Sequence, residues 1–172
     1  MSTLVVYESM FGNTREVALA VARGLAPTGT VEVVEVGEAH ELPHDLDLLV
    51  VGGPTHAFGM SRPKSREDAK TKVSDGEVVS AGEGVREWLH HLPHQRKPLP
   101  AAVFDTKVLK PFTGSAGKGA GKALTAAGFR LLVPPEDFGV TGMTGPLDPG
   151  ELERAEQWGA SVAEAAIAAR AG

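Results

Sequence analysis

Several features are rare or missing in this sequence, and each absence excludes a class of structure or function. There is no cysteine, which excludes disulfides, thiolate metal sites and cysteine nucleophiles. There is no run of about 18 apolar residues, so no segment is expected to span a membrane. Aromatic residues make up 5% of the chain and include a single tyrosine, Tyr7. The net charge is only −5, which argues against nucleic acid as a partner.

The composition is that of an ordinary globular protein. The 172 residues, of which 42% are hydrophobic and 23% charged, suit one domain with a sizeable core. The chain begins on a strand pattern without a basic segment and apolar signal core, which predicts a cytoplasmic protein. No repeat or linker interrupts it. We therefore interpret residues 1–172 as one domain that carries an inserted polar segment at about 61–82, expected to be irregular.

The first 25 residues organise the predicted fold. Residues 4–7 are apolar and rich in β-branched types, which predicts a buried strand. Val17, Val21 and Leu25 then follow the i, i+4 spacing of one helix face. The residues between them, 9–14, form a tight strand-to-helix turn that contains two hydroxyls, a glycine and the only asparagine.

Such a turn is a suitable place for an anion. The free N–H groups and the positive end of the helix dipole converge there. Gly12 would let the backbone approach closely, and Ser9 and Thr14 would donate hydrogen bonds from their hydroxyls. Asn13, followed by Glu16, is predicted to cap the helix. A capped turn without any ligand accounts for these residues equally well.

The loop contains no lysine, which separates it from the loop of nucleoside triphosphatases, and it lacks the three-glycine dinucleotide pattern. Its sequence resembles the phosphate-binding loop of the flavodoxin family, which holds the monophosphate of FMN. The resemblance implies FMN as the cofactor and assigns six residues to it: Ser9, Met10, Phe11, Gly12, Asn13 and Thr14.

Strand and helix patterns alternate along the chain. Strands are predicted at residues 4–7, 31–36, 48–51, 101–104 and 129–133, the last continuing beyond two prolines. The alternation predicts an α/β fold with a doubly wound, five-stranded parallel sheet in the order 2-1-3-4-5. This is the flavodoxin-like three-layer sandwich, and its ligand crevice is expected at the carboxyl ends of strands 1 and 3.

A second loop follows the third predicted strand. In it, Phe58-Gly59 match the aromatic-glycine pair with which flavodoxins contact the flavin ring. The run also resembles the loop Pro-Thr-x-Phe-Gly of flavodoxin-like NAD(P)H:quinone reductases. A buried turn with Phe58 in the core is the alternative. The resemblance implies flavin contacts from Pro54, Thr55, His56, Ala57, Phe58 and Gly59.

A third loop follows the fourth predicted strand and matches the family less closely. Flavodoxins often place a tyrosine there, whereas here Phe112 would have to replace it or the ring would be open on that face. The loss of a stacking partner would weaken flavin binding. The residues assigned to the cofactor from this loop are Asp105, Thr106, Lys107, Gly114 and Ser115.

The inserted segment has mixed charge. A solvated loop is the simplest interpretation, and a lid or a site for an acidic or nucleotide ligand is the alternative. Its basic residues are Arg62, Lys64, Arg66, Lys70 and Lys72, and its acidic ones include Glu67, Asp68 and Asp75.

Other signals do not support a different function. Residues 117–122 fail the spacing of a nucleotide loop and fit a flexible helix start. Pro93 interrupts the spacing of the nearby histidines, so no metal site is predicted. Gly52-Gly53 stand where a phosphoacceptor domain needs an aspartate, and no serine, histidine and acid are arranged for hydrolysis.

Three functions remain open from the sequence. The first is an FMN-binding redox protein that carries electrons between partner proteins, with no catalytic side chain of its own. The second is an NAD(P)H-dependent quinone or flavin reductase that acts on a small quinone-type acceptor. The third is a binding domain that keeps the fold without the flavin. The sequence predicts no oligomeric state.

Overall fold

The computed structural model describes residues 1–56, 59–73, 77–110 and 113–171. The strands are β1 (Ser2–Tyr7), β2 (Thr30–Glu35), β3 (Leu48–His56), β4 (Gly59–Met60), β5 (Leu99–Lys107), β6 (Phe129–Leu131) and β7 (Glu136–Gly139). The helices are α1 (Asn13–Leu25), α2 (Pro63–Lys70), α3 (Val85–His91), α4 (Ala116–Ala126) and α5 (Glu151–Ala171), with 3₁₀ turns at Ala26–Thr28 and Val36–Glu38.

The central sheet is parallel and has the strand order β2-β1-β3-β5-β6. The predicted order 2-1-3-4-5 is therefore confirmed. The fifth position is shared by two strands, because β6 pairs with the beginning of β5 and β7 pairs in parallel with its end. Pro134 and Pro135 lie between them, where neither can donate a ladder hydrogen bond.

Successive residues of the strands face opposite sides of the sheet and build two cores. Val5 and Tyr7 of β1 pack with α1 and α5 on one side, and Leu4 and Val6 belong to the core on the other. The second core includes residues of α3 and α4, such as Trp88. Helices on both faces leave the carboxyl ends of the strands as the edge at which loops can form a site.

Two strands extend beyond their predicted ends. The fourth, predicted at residues 101–104, is β5 and continues to Lys107. The third was predicted to end at residue 51, but β3 continues through Gly52, Gly53 and Pro54, which pair with β5. It then pairs through His56 with the short antiparallel strand β4. Glycine and proline suggested a loop, yet the neighbouring strand supplies pairing that local composition does not reveal.

The inserted segment was expected to be irregular, and this is wrong for residues 63–70, which form α2. Pro63 occupies the first helical position, and the Ser65 side chain accepts a hydrogen bond from the Arg62 N–H at 2.9 Å. Only Arg66 and Ala69 of this helix are buried. With so few apolar residues, the helix has no hydrophobic periodicity that could have predicted it.

Within the described ranges, none of the helices has the length and apolar character needed to cross a bilayer.

Candidate functional site

A cleft of about 820 Å³ lies at the carboxyl ends of β1, β3 and β5. It is formed where the three predicted loops meet, together with the segment that follows β7. Ten residues assigned from the sequence line it: Ser9, Met10, Phe11, Asn13, Thr14, Pro54, Thr55, His56, Thr106 and Lys107.

The first loop has the conformation that a glycine permits. Gly12 has φ of 92°, in the left-handed region, and its N–H donates to Ser9 Oγ at 3.1 Å. Its carbonyl accepts from the N–H of Glu16 at 3.0 Å, so α1 begins at Asn13. The predicted cap at Asn13 is wrong, because Gly12 is the N-cap and the Asn13 amide Nδ2 donates to the carbonyl of Thr144.

The N–H groups of the first turn of α1 are the main donors of this loop. Those of Asn13, Thr14 and Arg15 have no acceptor within the helix, since the first intrahelical bond is made by Glu16. They carry the positive end of the helix dipole, and two of the three residues, Asn13 and Thr14, line the cleft. This is a donor set for an anion.

The loop is fixed from behind by a distant segment. Ser80 Oγ accepts from the N–H of Ser9 at 2.9 Å, and the N–H of Ser80 donates to the Ser9 carbonyl at 2.7 Å. The N–H of Val79 donates to the carbonyl of Met10 at 3.1 Å. These bonds leave the backbone of the loop little freedom to rearrange.

Thr14 and Thr106 join the first loop to the end of β5. Their hydroxyls are 2.7 Å apart, and both side chains are buried. One of the two hydroxyls donates to the other, so this pair keeps one hydroxyl hydrogen for a ligand instead of the two expected from the sequence.

The end of β3 supplies Pro54, Thr55 and His56 to the cleft. The Thr55 hydroxyl donates to Asp105 Oδ2 at 2.9 Å and accepts from the N–H of Ala116 at 2.8 Å, so its side chain is used internally. Gly59 lies in β4, away from the cleft wall. The assigned residues Ala57 and Phe58, like Phe112 of the third loop, lie outside the described residues.

Asp105 and Ser115 lie beneath the cleft instead of lining it. Asp105 Oδ2 accepts from Ser115 Oγ at 2.7 Å and from the N–H of Gly117 at 2.9 Å, which fastens the start of α4 to β5. Burial raises the pKa of Asp105, and the neighbouring Asp137 adds to this effect. Its Oδ1 is buried without a hydrogen-bond partner among the described residues.

Lys107 and Gly114 close the third loop. Lys107 Nζ donates to the Gly114 carbonyl at 3.0 Å and forms an ion pair with Asp137. Gly114 has φ of 70° and does not line the cleft. The lysine therefore combines two functions, since it lines the cleft and holds the loop.

A buried polar cluster lies behind the first loop. Glu8 Oε2 accepts from the N–H of Val85 at 2.8 Å, and desolvation by burial raises the pKa of Glu8. Arg66 of α2 donates to Ser61 Oγ at 2.8 Å and pairs with Glu87 at 3.1 Å. Through this cluster α2 is attached to the sheet and to α3.

His56 contacts the inserted segment inside the cleft. Its Nδ1 lies 3.2 Å from Ser65 Oγ, and both residues line the cavity. Desolvation lowers the pKa of His56, and the charge of Arg66 lowers it further. The imidazole is therefore neutral at pH values near 7.

The sequence analysis missed two parts of the cleft wall. α2 and the residues after it have no hydrophobic periodicity, and the segment after β7 was not considered although it follows a strand of the same sheet. Such a position is itself a signal, because the segments at the carboxyl ends of parallel strands share one edge. The residues of these two parts are Ser65, Asp68, Ala69, Thr71, Lys72, Val140, Thr141, Gly142 and Met143, and the third loop adds three that were not assigned individually, Val108, Lys110 and Thr113.

The charged side chains of the cleft wall are mostly basic. Lys72, Lys107 and Lys110 line it together with one acid, Asp68, among the described residues. Because Lys107 is paired with Asp137, the excess of positive charge rests on Lys72 and Lys110. A concave surface with such an excess favours an anionic ligand.

The structure resembles solved flavodoxins over nearly its whole length. Flavodoxin 2 from Bacillus cereus superposes with a TM-score of 0.67 at 20% sequence identity, with 95% of this chain and 99% of that one covered. A flavodoxin from the domain Archaea gives a TM-score of 0.63 at 18% identity, with coverages of 97% and 99%. The fold is that of the flavodoxins.

A WrbA-like flavodoxin from Agrobacterium tumefaciens shares this flavodoxin-like fold, with a TM-score of 0.62, 21% identity and coverages of 96% and 97%. No protein-family model and no curated protein matches the sequence. The expected flavodoxin-like fold is thus confirmed at the level of structure, while the sequence similarity stays low.

Proposed function

We propose that this protein is an FMN-binding redox protein that carries electrons between partner proteins. The observation that carries the proposal is the first turn of α1, in which Asn13 and Thr14 line a cleft of about 820 Å³ at the carboxyl end of β1. A helix N-terminus binds phosphate well, and the volume lies within the range of small-molecule sites. The residues present therefore fit a ligand with a phosphate and a ring.

The residues divide into two groups by role. The N–H groups of Asn13, Thr14 and Arg15 would hold the phosphate, with Gly12 in the left-handed conformation that this turn needs. The flavin ring would be surrounded by the end of β3, with Pro54, Thr55 and His56, and by the ends of β5 and β7. When bound, FMN supplies the electron-transfer chemistry, and the protein sets its potential through hydrogen bonds and local charge. The basic cleft wall favours a reduced, anionic ring.

The rim of the cleft supports the carrier interpretation. Leu109 is 53% exposed and Met143 is 73% exposed, and both belong to segments that form the cleft wall. Exposed apolar side chains beside a cofactor site are suited to a transient protein contact. Redox partner proteins of unspecified identity are accordingly part of the proposal, as is a cytoplasmic location.

A second candidate is an NAD(P)H-dependent quinone or flavin reductase. It is favoured by α2 and the residues after it, which place Ser65, Asp68 and Lys72 in the cleft wall. A wall with basic side chains suits a nucleotide or an acidic acceptor above the ring.

The first experiment is an absorption spectrum of the freshly purified protein, followed by a titration with FMN that is monitored by fluorescence quenching. Flavin bands or tight quenching are expected. Potentiometry then separates the two candidates: two resolved one-electron midpoint potentials support the carrier, and steady NAD(P)H turnover with a quinone supports the reductase. A colourless protein that does not respond to FMN would contradict both and favour a flavin-free binding domain.

A further inference from the structure

The hydrogen bonds of Ser65 determine which nitrogen of His56 carries the proton. Ser65 Oγ lies 3.0 Å from the carbonyl of Arg62 and 2.9 Å from its N–H. A carbonyl can only accept and an N–H can only donate, so the single hydroxyl hydrogen of Ser65 is directed to the carbonyl. No hydrogen remains on Ser65 Oγ for His56.

The contact between His56 Nδ1 and Ser65 Oγ, at 3.2 Å, must therefore be a bond that the imidazole donates. In a neutral imidazole only one nitrogen is protonated, so Nε2 carries a free lone pair. The ring also has a hydrogen bond with the Ser65 backbone, which raises the pKa of His56. Among the described residues no residue other than Ser65 forms a hydrogen bond with the ring, and Nε2 is not one of the buried atoms that lack a partner. It is thus an open acceptor on a side chain that lines the cleft.

The surroundings of His56 oppose its protonation. The burial of the ring and the charge of Arg66 both lower the pKa of His56. The charged side chains of the cleft wall itself are three lysines and one aspartate. Arg66 is the charged group that acts directly on the histidine, and the charged residues that line the same cleft are Asp68, Lys72, Lys107 and Lys110.

We propose that His56 recognises the bound molecule by accepting a hydrogen bond at Nε2 from an N–H or O–H group, with Ser65 as the residue that holds the required tautomer. This inference rests on the function proposed above. FMN offers such donors in the imide N–H of its ring and in its ribityl hydroxyls. An imidazole in this state discriminates against molecules that present only acceptors at the same place.

Two substitutions at one position test the role of Nε2. In His56→Gln the longer side chain presents an amide oxygen near the place of Nε2, whereas in His56→Asn the amide reaches only toward Ser65. We expect His56→Asn to bind FMN about five- to ten-fold more weakly than the wild type, the effect of one lost hydrogen bond. His56→Gln should restore most of the affinity. His90→Gln, at an exposed position of α3, is the matched control.

The pH dependence distinguishes an acceptor from a cation. The ratio of the wild-type affinity to the His56→Gln affinity should fall as the pH decreases through the pKa of His56, because protonation fills the lone pair of Nε2. The phosphate of FMN also titrates in acidic solution but equally in both proteins, so the ratio removes its contribution. A ratio that rises at acidic pH would mean that His56 acts as a positive charge and would overturn the proposal.

Nitrogen NMR on the ligand-free protein gives an independent readout. With ¹⁵N-labelled histidine, the signal absent from His56→Gln identifies His56, and its neutral form should be protonated at Nδ1. Protonation at Nε2 would refute the assignment, as would equal FMN affinities of the wild type and His56→Asn. If the wild type does not bind FMN at all, the proposed function fails and this inference fails with it. That outcome differs from those above, in which FMN binds and only the role of His56 is refuted.

Discussion

Gly12 and Gly150 form a matched pair that tests the anion-binding loop. Both have left-handed backbones, with φ of 92° and 84°, and a Cβ added at either would meet no atom within 4 Å. Each supplies the carbonyl that accepts the first N–H of its helix, from Glu16 and from Arg154, at 3.0 Å. Alanine therefore introduces the same backbone strain at both sites, but only Gly12 adjoins the cleft.

The expected magnitude follows from the backbone alone. A left-handed conformation costs an L-residue roughly 1–2 kcal/mol, and the reduced freedom of the unfolded chain offsets about 0.4–1 kcal/mol of this. We expect Gly12→Ala and Gly150→Ala each to lower the free energy of unfolding by about 1 kcal/mol. At Gly12 the strain also disturbs the N–H groups of the first turn of α1. The loss of one hydrogen bond to a charged group, about 1.5–3 kcal/mol, weakens FMN binding at least ten-fold.

Urea denaturation measures the first effect and FMN fluorescence quenching the second. Gly150→Ala should lose stability and bind FMN as the wild type does, once the fraction of folded protein is taken into account. If Gly12→Ala loses the same stability and also keeps its affinity, residues 9–14 form an ordinary turn and the cofactor assignment of this loop is wrong.

Two further predictions concern the buried polar cluster behind the loop. Since the pKa of Glu8 is raised in the folded protein by burial, the folded state binds more protons than the unfolded one, and stability falls as the pH rises above the ordinary value of 4.5. Glu8→Gln keeps an acceptor for the N–H of Val85 and should lack this fall in urea denaturation from acidic to neutral pH. Arg66→Met breaks the ion pair with Glu87, in which the Arg66 side chain is only 8% exposed. We expect this substitution to lower the free energy of unfolding by about 3 kcal/mol, again measured by urea denaturation.

Controls for this cluster are available on the surface. The ion pair between Arg23 and Glu156 has side chains 55% and 50% exposed, so Arg23→Met should change the stability by well under 1 kcal/mol. An equal loss in Arg66→Met and Arg23→Met would contradict the buried pair. Parallel pH profiles of Glu8→Gln and the wild type would contradict the stated cause of the Glu8 shift.

The fold was predictable because its signals are local. The β-branched runs of residues 4–7 and 48–51 mark central strands, and the alternation of strands and helices implies a parallel sheet whose crevice position follows from topology. The cap at Asn13 was not predictable from composition. Asn13 and Gly12 are both acceptable N-caps, and the choice between them follows from contacts of Asn13 with Thr144, far along the chain.

The features of the cleft wall that the sequence analysis missed also depend on contacts between residues distant in sequence. The hydroxyls of Thr14 and Thr106 were each assigned to a ligand, but they bond to each other across the sheet, a pairing invisible to either local pattern. α2 was not predicted because its buried residues are Arg66 and Ala69. A buried arginine does not contribute to the apolar periodicity from which a helix is predicted. Both misses arise from polar side chains whose partners are remote in sequence.

The hydrogen bonds between residues 9–10 and 79–80 couple the first loop of the cleft to a segment outside it. Ser9 and Ser80 are 71 residues apart, yet neither backbone can open without releasing the other. Amide hydrogens of Val79 and Ser80, which do not line the cleft, should therefore exchange with solvent at the rate at which the first loop opens. A molecule that orders the loop will slow their exchange, and deuterium uptake at these two amides becomes a measure of occupancy without a spectroscopic signal from the ligand.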